Sequence, residues 1–331
     1  MRFSIGVSMA ILASTLTLNI PAAEKVKKGV TQETKLHFGG GGKLGQQVIG
    51  DFQIQHSDEL KGAKRVGISV FNVAFPDDNT QTAHMHKDFY GGSLDAKATM
   101  QTVLEGVDPG TRQHIADAAY SSFVAELKKS GYEVVEADEL ARLAPEYSTW
   151  TPLPNFTKGR FGTYVAPTGR VVHFLQGDKS RRDTSGFKGE TSQTFRVLDR
   201  PQAYSRSPYI ARDANLGIIA VTLVIDYGVY STTGRSISRK GSSVGFAPGV
   251  SAQSGTLADT ATIIEYWGTK SGGFPAIAAL AVPVVSEEPF GEVVDGAQVV
   301  VKAEAARFEK VALDVTNKAA GKLVEAIAAQ R

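Results

Sequence analysis

Two long stretches of this chain repeat apolar residues at helical spacing. A chain with two such stripes must supply a sheet or further helices to cover them. In the first, Asp108 is placed to cap and Pro109 to open the helix. Ile115, Ala119, Phe123 and Leu127 then follow at intervals of four, widened by Ala118, Tyr120 and Val124. Lys128 and Lys129 suit the negative end, and Gly131 is placed to stop it. The second stripe, within Lys302 to Ala329, runs Phe308, Val311/Ala312, Val315, Ala319, Leu323 and Ile327.

The covering layer reads as strands. Val66, Ile68 and Val70 alternate with Gly67 and Ser69, and Phe71, Val73 and Phe75 continue the apolar content until Pro76-Asp77-Asp78-Asn79 supplies turn residues. Tyr132–Glu136 is a short strand, followed by a helical turn at Asp138–Leu143. Leu216–Tyr230 reads as a buried strand around Ile218-Ile219-Ala220-Val221 and Leu223-Val224-Ile225. Ala261–Trp267, Ala276–Val285 and Val293–Val301 are further strands, the last with a turn at Asp295-Gly296. The expected class is α/β in the α+β sense: a mixed sheet of about five strands packed against two long helices, with a long irregular insertion.

The N-terminal region reads as an export signal over residues 1–23. Arg2 supplies the positive start and Ile5–Ile20 the uncharged stretch. Pro21-Ala22-Ala23 offers small residues for cleavage, and Glu24-Lys25 returns the chain to water. The stretch is interrupted by Ser4, Ser8, Ser14, Thr15, Thr17 and Asn19, unlike a span of about 20 apolar residues. The expected location is therefore periplasmic or secreted. The sequence has no cysteine, which removes thiol catalysis, Cys-ligated metals and attachment of lipid through a cysteine of this chain. About 308 residues remain after the signal, enough for a large core without disulfides.

Residues 24–62 read as a flexible polar, Gly-rich arm around Gly39-Gly40-Gly41-Gly42, with a short strand at Gln47–Gln55. The domain proper then covers 63–331, with a basic insertion at 144–212 lacking sustained periodicity. Net charge is +2 overall, yet residues 158–212 carry eleven Lys/Arg against four Asp/Glu, a local +7.

The order of elements resembles the periplasmic domain of the curli-secretion channel (CsgG-like) and the N-terminal domain of TolB. The matching residues are Val66–Phe71, His114–Ser130, Gly131-Tyr132-Glu133-Val134-Val135-Glu136 and Asp138-Glu139-Leu140. Leu216-Gly217-Ile218-Ile219 into Thr222–Tyr227 follows, then the Phe308–Ala329 helix. Together they cover roughly a third of the chain and carry fold pattern, not site chemistry. The resemblance implies an envelope component that assembles or docks with other proteins. The chain departs from the curli channel in lacking a lipid-bearing cysteine, and from TolB in lacking propeller repeats.

Candidates for chemistry are few. Gly241-Ser242-Ser243-Val244-Gly245 fits the G-x-S-x-G string, with Ser243 as nucleophile, but that elbow needs a strand before the serine and a helix after it. Phe246-Ala247-Pro248-Gly249 is a poor helix start. The glycine run ending in Lys43 approximates a phosphate loop, yet Leu44 stands where Ser or Thr is required. His84 and His86 would share one side of a strand with Asp88 and Tyr90 and are weak metal candidates, since a site needs three or four convergent ligands. In the basic segment Arg160 adjoins Phe161, Arg170 lies near His173 and Phe174, and Lys188 adjoins Phe187. Arg170, Lys179, Arg181, Arg182 and Lys188 are the candidates for binding a polyanion such as lipopolysaccharide or an acidic glycan. Export argues against nucleic acid.

The expectation is an exported cell-envelope protein without catalytic or cofactor sites, acting through contacts with envelope proteins or as a homo-oligomer. A secreted hydrolase using Ser243 or a His84/His86 metal, and a polyanion-binding module over 158–212, are the alternatives.

Overall fold

The structure is a computed structural model and describes residues 46–49, 51–60, 62, 64–89, 92–175, 202–233, 243–254, 262–269 and 275–329. In chain order the strands begin with β1 (Gln46–Ile49), β2 (Phe52–Gln55), β3 (Arg65–Phe75), β4 (Asp78–Phe89) and β5 (Gly92–Glu105). Helix α1 (Pro109–Lys129), β6 (Glu133–Val135), α2 (Ala137–Leu143), β7 (Thr157–Gly159), β8 (Gly162–Val165) and α3 (Gln202–Asp213) follow. The last third carries β9 (Gly217–Thr233), β10 (Ser243–Ala252), β11 (Ile263–Trp267), β12 (Ala276–Leu280), β13 (Val284–Ser286), β14 (Gly291–Val294), β15 (Val299–Ala303) and helix α4 (Ala305–Ala328).

Among the described residues the main sheet holds eleven strands along the path β1-β2-β12-β11-β9-β3-β8-β7, with β6 beside β3, β10 beside β9 and β13 beside β10. The pair β3–β9 is parallel and forms its centre. A second mixed sheet runs β14-β15-β5-β4. The class is thus α+β, but the sheet is more than twice the expected five strands.

Both long helices form where the apolar stripes lie, and they pack on each other and on one face of the main sheet. The Asp108 carboxylate accepts from the Thr111 amide at 2.8 Å, and Gly131 takes φ +81° just past the end of α1. Ile115, Ala119, Phe123 and Leu127 meet Phe308, Val311, Val315, Ala319 and Leu323 in one core with Val66, Ile68, Phe71, Val73 and Phe75. The β3 alternation is not continuous. The β3–β9 register slips between Ile68 and Val70, and a slip of one residue swaps the faces of a strand. Val70 therefore joins the opposite cluster, with Leu140, Trp150 and Ile218, while Phe71 and Val73 rejoin the helix side. With both faces covered, every β3 residue after Arg65 is buried.

The insertion is corrected in part. Its described portion contains a short 3-10 turn at Pro145–Thr149 and α3, which cover the second face of the sheet, and the β7–β8 hairpin, which extends its edge beside β3. Residues 176–201 lie outside the described residues, as does the signal expected at 1–23. The arm is shorter than expected, because β1 and β2 form a hairpin that extends the sheet edge beside β12. The single strand expected at Ala276–Val285 is two, β12 and β13, divided before Pro283, which has no amide hydrogen to continue a ladder.

The largest departure is the polar stretch after Phe75, which the expected strands do not include. It is a long antiparallel hairpin, β4–β5, registered from Asp78↔Val103 to Phe89↔Gly92. A second hairpin, β9–β10, is registered from Ile225↔Ala252 to Thr233↔Ser243, with an irregularity between Pro248 and Ser251.

Candidate functional site

The two hairpins share a polar root. At its centre is Asp226 on β9, fully buried. Its Oδ1 accepts from the Tyr227 amide at 2.7 Å. Its Oδ2 accepts from Asn79 Nδ2 on β4 at 3.3 Å, and from Gln253 Nε2 just beyond β10. Asn79 Oδ1 is itself occupied, accepting from Gln81 Nε2 at 3.0 Å. Thr102 on β5 is 2.6 Å from the Tyr230 hydroxyl and 3.0 Å from that of Tyr227. Four strands are thereby tied by side chains at the base from which both hairpins extend.

Burial dominates the electrostatics. It pushes the Asp226 carboxyl up to about 6, despite the hydrogen bonds from Tyr227, Gln253 and Asn79 that favour its charge. Among the described residues no ion pair reaches Asp226. Burial likewise raises the Tyr227 hydroxyl to about 12 and raises that of Tyr230 further, with the Asp226 charge adding to both. These hydroxyls stay protonated and act as neutral hydrogen-bonding groups.

Beside this root opens a cleft of about 430 Å3 lined by the start of β4, the β7–β8 turn and Gln253. On its wall Asp77 pairs with Arg112 at 2.6 Å and with Lys158, and accepts from Thr163 at 2.7 Å. Burial would raise the Asp77 carboxyl, but Lys158, Thr163 and Arg112 together outweigh it and hold the group below the usual carboxylate range. The cleft therefore holds paired charges and amides. Gly162 makes the turn possible: its φ is +106°, and a Cβ there would sit 2.2 Å from the Phe75 carbonyl oxygen.

The residues picked from sequence are scattered by the fold. Ser243 opens β10, and the residues after it continue as strand to Ala252, so the strand–turn–helix context of a nucleophile elbow is missing. His84 and His86 lie two apart on β4, registered with Lys97 and Asp95. Arg170 is enclosed, its side chain 8 % exposed. It donates to the Ile68 carbonyl at 2.8 Å and the Tyr120 hydroxyl at 2.6 Å, with its guanidinium 4.5 Å over the Tyr120 ring. An arginine so enclosed ties the fold together. Lys179, Arg181, Arg182 and Lys188 lie outside the described residues. Lys158, Arg206 and Arg212, which are described, pair with Asp77, Glu146 and Asp213.

Asp226 and the amides around it went unnoticed in the sequence, although one signal exists. A carboxylate set directly after Leu223-Val224-Ile225 interrupts a strand otherwise buried on both faces, and a buried charge carries a cost that needs a reason. Asn79 and Gln253, 174 residues apart by their numbers, gave no signal of meeting.

Comparison with known protein families, curated proteins and solved structures finds no match.

Proposed function

We propose that this chain is an exported cell-envelope protein that works by assembling with copies of itself, its two hairpins pairing edge to edge to form part of a closed β-structure in a membrane. The carrying observation is the register. Among the described residues β4 is paired on one side only, to β5. The outer part of β9, Tyr227–Thr233, and β10 up to Gly249 have only each other. Unpaired strand edges present rows of N–H and C=O groups that are templates for another strand.

The sequence along the hairpins supports a membrane setting. In β4–β5 one row of registered pairs is Thr82↔Thr99, His84↔Lys97, His86↔Asp95 and Asp88↔Ser93, all polar. The alternate row is Ala83↔Ala98, Met85↔Ala96, Lys87↔Leu94 and Phe89↔Gly92, mostly apolar. In β9–β10 Gly228↔Pro248, Tyr230↔Phe246 and Thr232↔Val244 alternate with Val229↔Ala247, Ser231↔Gly245 and Thr233↔Ser243. Such a two-row pattern is the signature of strands with lipid on one side and water on the other. The twelve and fourteen residues of β4 and β5 exceed the roughly 9–11 needed to cross a bilayer. No described helix is long and apolar enough to cross one, and strands can do so only when closed upon one another. His84 and His86 then belong to the polar row, in register with Lys97 and Asp95. The export signal and the resemblance to the curli-channel periplasmic domain point the same way.

Flotation of the signal-less protein with liposomes and release of an entrapped dye test the reading. The wild type is expected to float and release dye, and Met85→Asp/Ala96→Asp, which charges the apolar row, to do neither while keeping its far-ultraviolet dichroism. A wild-type protein that stays in the soluble fraction and leaves vesicles intact would overturn it.

A further inference from the structure

The Asp226 cage is built for one protonation state. Among the described residues every hydrogen-bond partner of its carboxylate is a donor: the Tyr227 and Gly228 amides, Asn79 Nδ2 and Gln253 Nε2. A protonated carboxyl needs an acceptor for its O–H. Asn79 cannot offer one by turning its amide without losing the Gln81 bond at 3.0 Å. Gln253 could do so only by giving up its own donation. The two side-chain donors come from different hairpins: Asn79 is the second residue of β4, and Gln253 directly follows β10. Asp226 is also registered with Ser251, next to the irregularity in β10 where a strand bends most easily.

We propose that Asp226 is a proton-operated latch which, when ionised, ties the root of the β4–β5 hairpin to that of the β9–β10 hairpin, and which, with its carboxyl still buried on β9, lets the two swing independently when it takes up a proton. The latch rests on the assembly reading only for its purpose, since the hairpins are the parts it would align. Among the described residues no cation pairs with Asp226 to fix the charge. Tyr227 and Tyr230 on β9 remain neutral, Thr102 on β5 and Gln253 are uncharged, and the exposed Asp78 on β4 adds only negative charge. Arg112 and Lys158, across the cleft, are engaged by Asp77. The burial that lifts the carboxyl to about 6 puts the switch within the range an envelope experiences.

The chain has no cysteine, so a Thr80→Cys/Ala247→Cys pair, at one exposed position on each hairpin, can carry two spin labels. Pulsed-resonance distances in the detergent-free, unassembled protein are the readout. One narrow distance band is expected at pH 7.5 and a broadened one at pH 5, with the change centred near pH 6. With Asp226→Asn, whose amide also brings a donor into the cage, the broad distribution is expected at both pH values. Gln253→Leu, which keeps the carboxylate but cuts one strap, is expected to broaden the pH 7.5 distribution and covers the case in which Asp226→Asn does not fold. A wild-type distance that ignores pH, or an Asp226→Asn protein that still responds to it, overturns the latch. Because the readout needs no assembly, a failed liposome experiment would leave this result standing, and the converse holds too.

Discussion

The Arg170 guanidinium donates to the Tyr120 hydroxyl at 2.6 Å while lying 4.5 Å above the same ring, and that hydroxyl donates in turn to Glu136 at 2.8 Å. A loop cation is thus stitched to the flank of the apolar stripe of α1 and to the end of β6. Replacing it with alanine leaves the Ile68 carbonyl and Tyr120 without their partner. Arg170→Ala is expected to lower the unfolding free energy in urea by about 3 kcal/mol, the sum of a charge-assisted hydrogen bond and a desolvated cation–ring contact. Heparin retention of the folded variant is expected to match the wild type. A stable variant with weakened retention would return Arg170 to the polyanion reading.

For Asp226 the sign of the pH dependence follows from its environment. Burial lifts the folded carboxyl to about 6, against about 3.9 in an unfolded chain. The folded state holds the proton more tightly, so this stabilisation is complete below pH ~4, is lost as pH rises from there through ~6, and stays lost above. Two pK units correspond to about 3 kcal/mol. The stability of Asp226→Asn relative to wild type is therefore expected to improve by about that amount between pH 4 and pH 7, measured by urea titration at each pH. Parallel pH profiles would contradict it.

The helix pair gives the largest packing prediction. Phe123 is fully buried, its ring 5.5 Å from that of Phe71 where α1 meets β3. Phe123→Ala is expected to cost about 3–5 kcal/mol through lost burial and the cavity left behind. Val282→Ala, at a side chain 46 % exposed, is expected to change stability by less than about 0.5 kcal/mol. Thermal or denaturant unfolding of the two variants side by side reads the contrast.

Gly162 supports the cleft wall by a different route. Its φ of +106° is closed to other residues, and a methyl group would strike the Phe75 carbonyl oxygen. Gly162→Ala is expected to destabilise by roughly 1–3 kcal/mol. It is also expected to loosen the Asp77 cluster, which would appear as faster hydrogen exchange at Thr163 and Tyr164.

The parts of this fold legible in the sequence are those whose physics is local. The α1 cap at Asp108, its stop at Gly131 and the stripes of both long helices follow from spacing alone. The β14–β15 turn at Asp295-Gly296 does as well. The alternation in β3 was misread at Val70, because a one-residue slip against β9 depends on a partner 150 residues away. The β4–β5 hairpin was missed for a related reason. Its pattern is polar residues against alanine and methionine, a contrast too weak to stand out from a loop, and β10 is disguised by Gly245, Pro248 and Gly249. The root cluster depends on three distant segments meeting, and only the lone carboxylate in an apolar strand hinted at it.

The central claim is that unpaired hairpin edges bring copies of this chain together. Light scattering coupled to size exclusion, on the signal-less protein extracted from liposomes into mild detergent, tests it most directly. The account predicts one discrete mass that is a multiple of the chain, reduced to a single copy by Met85→Asp/Ala96→Asp. A wild-type protein that emerges as one copy after exposure to lipid would contradict it.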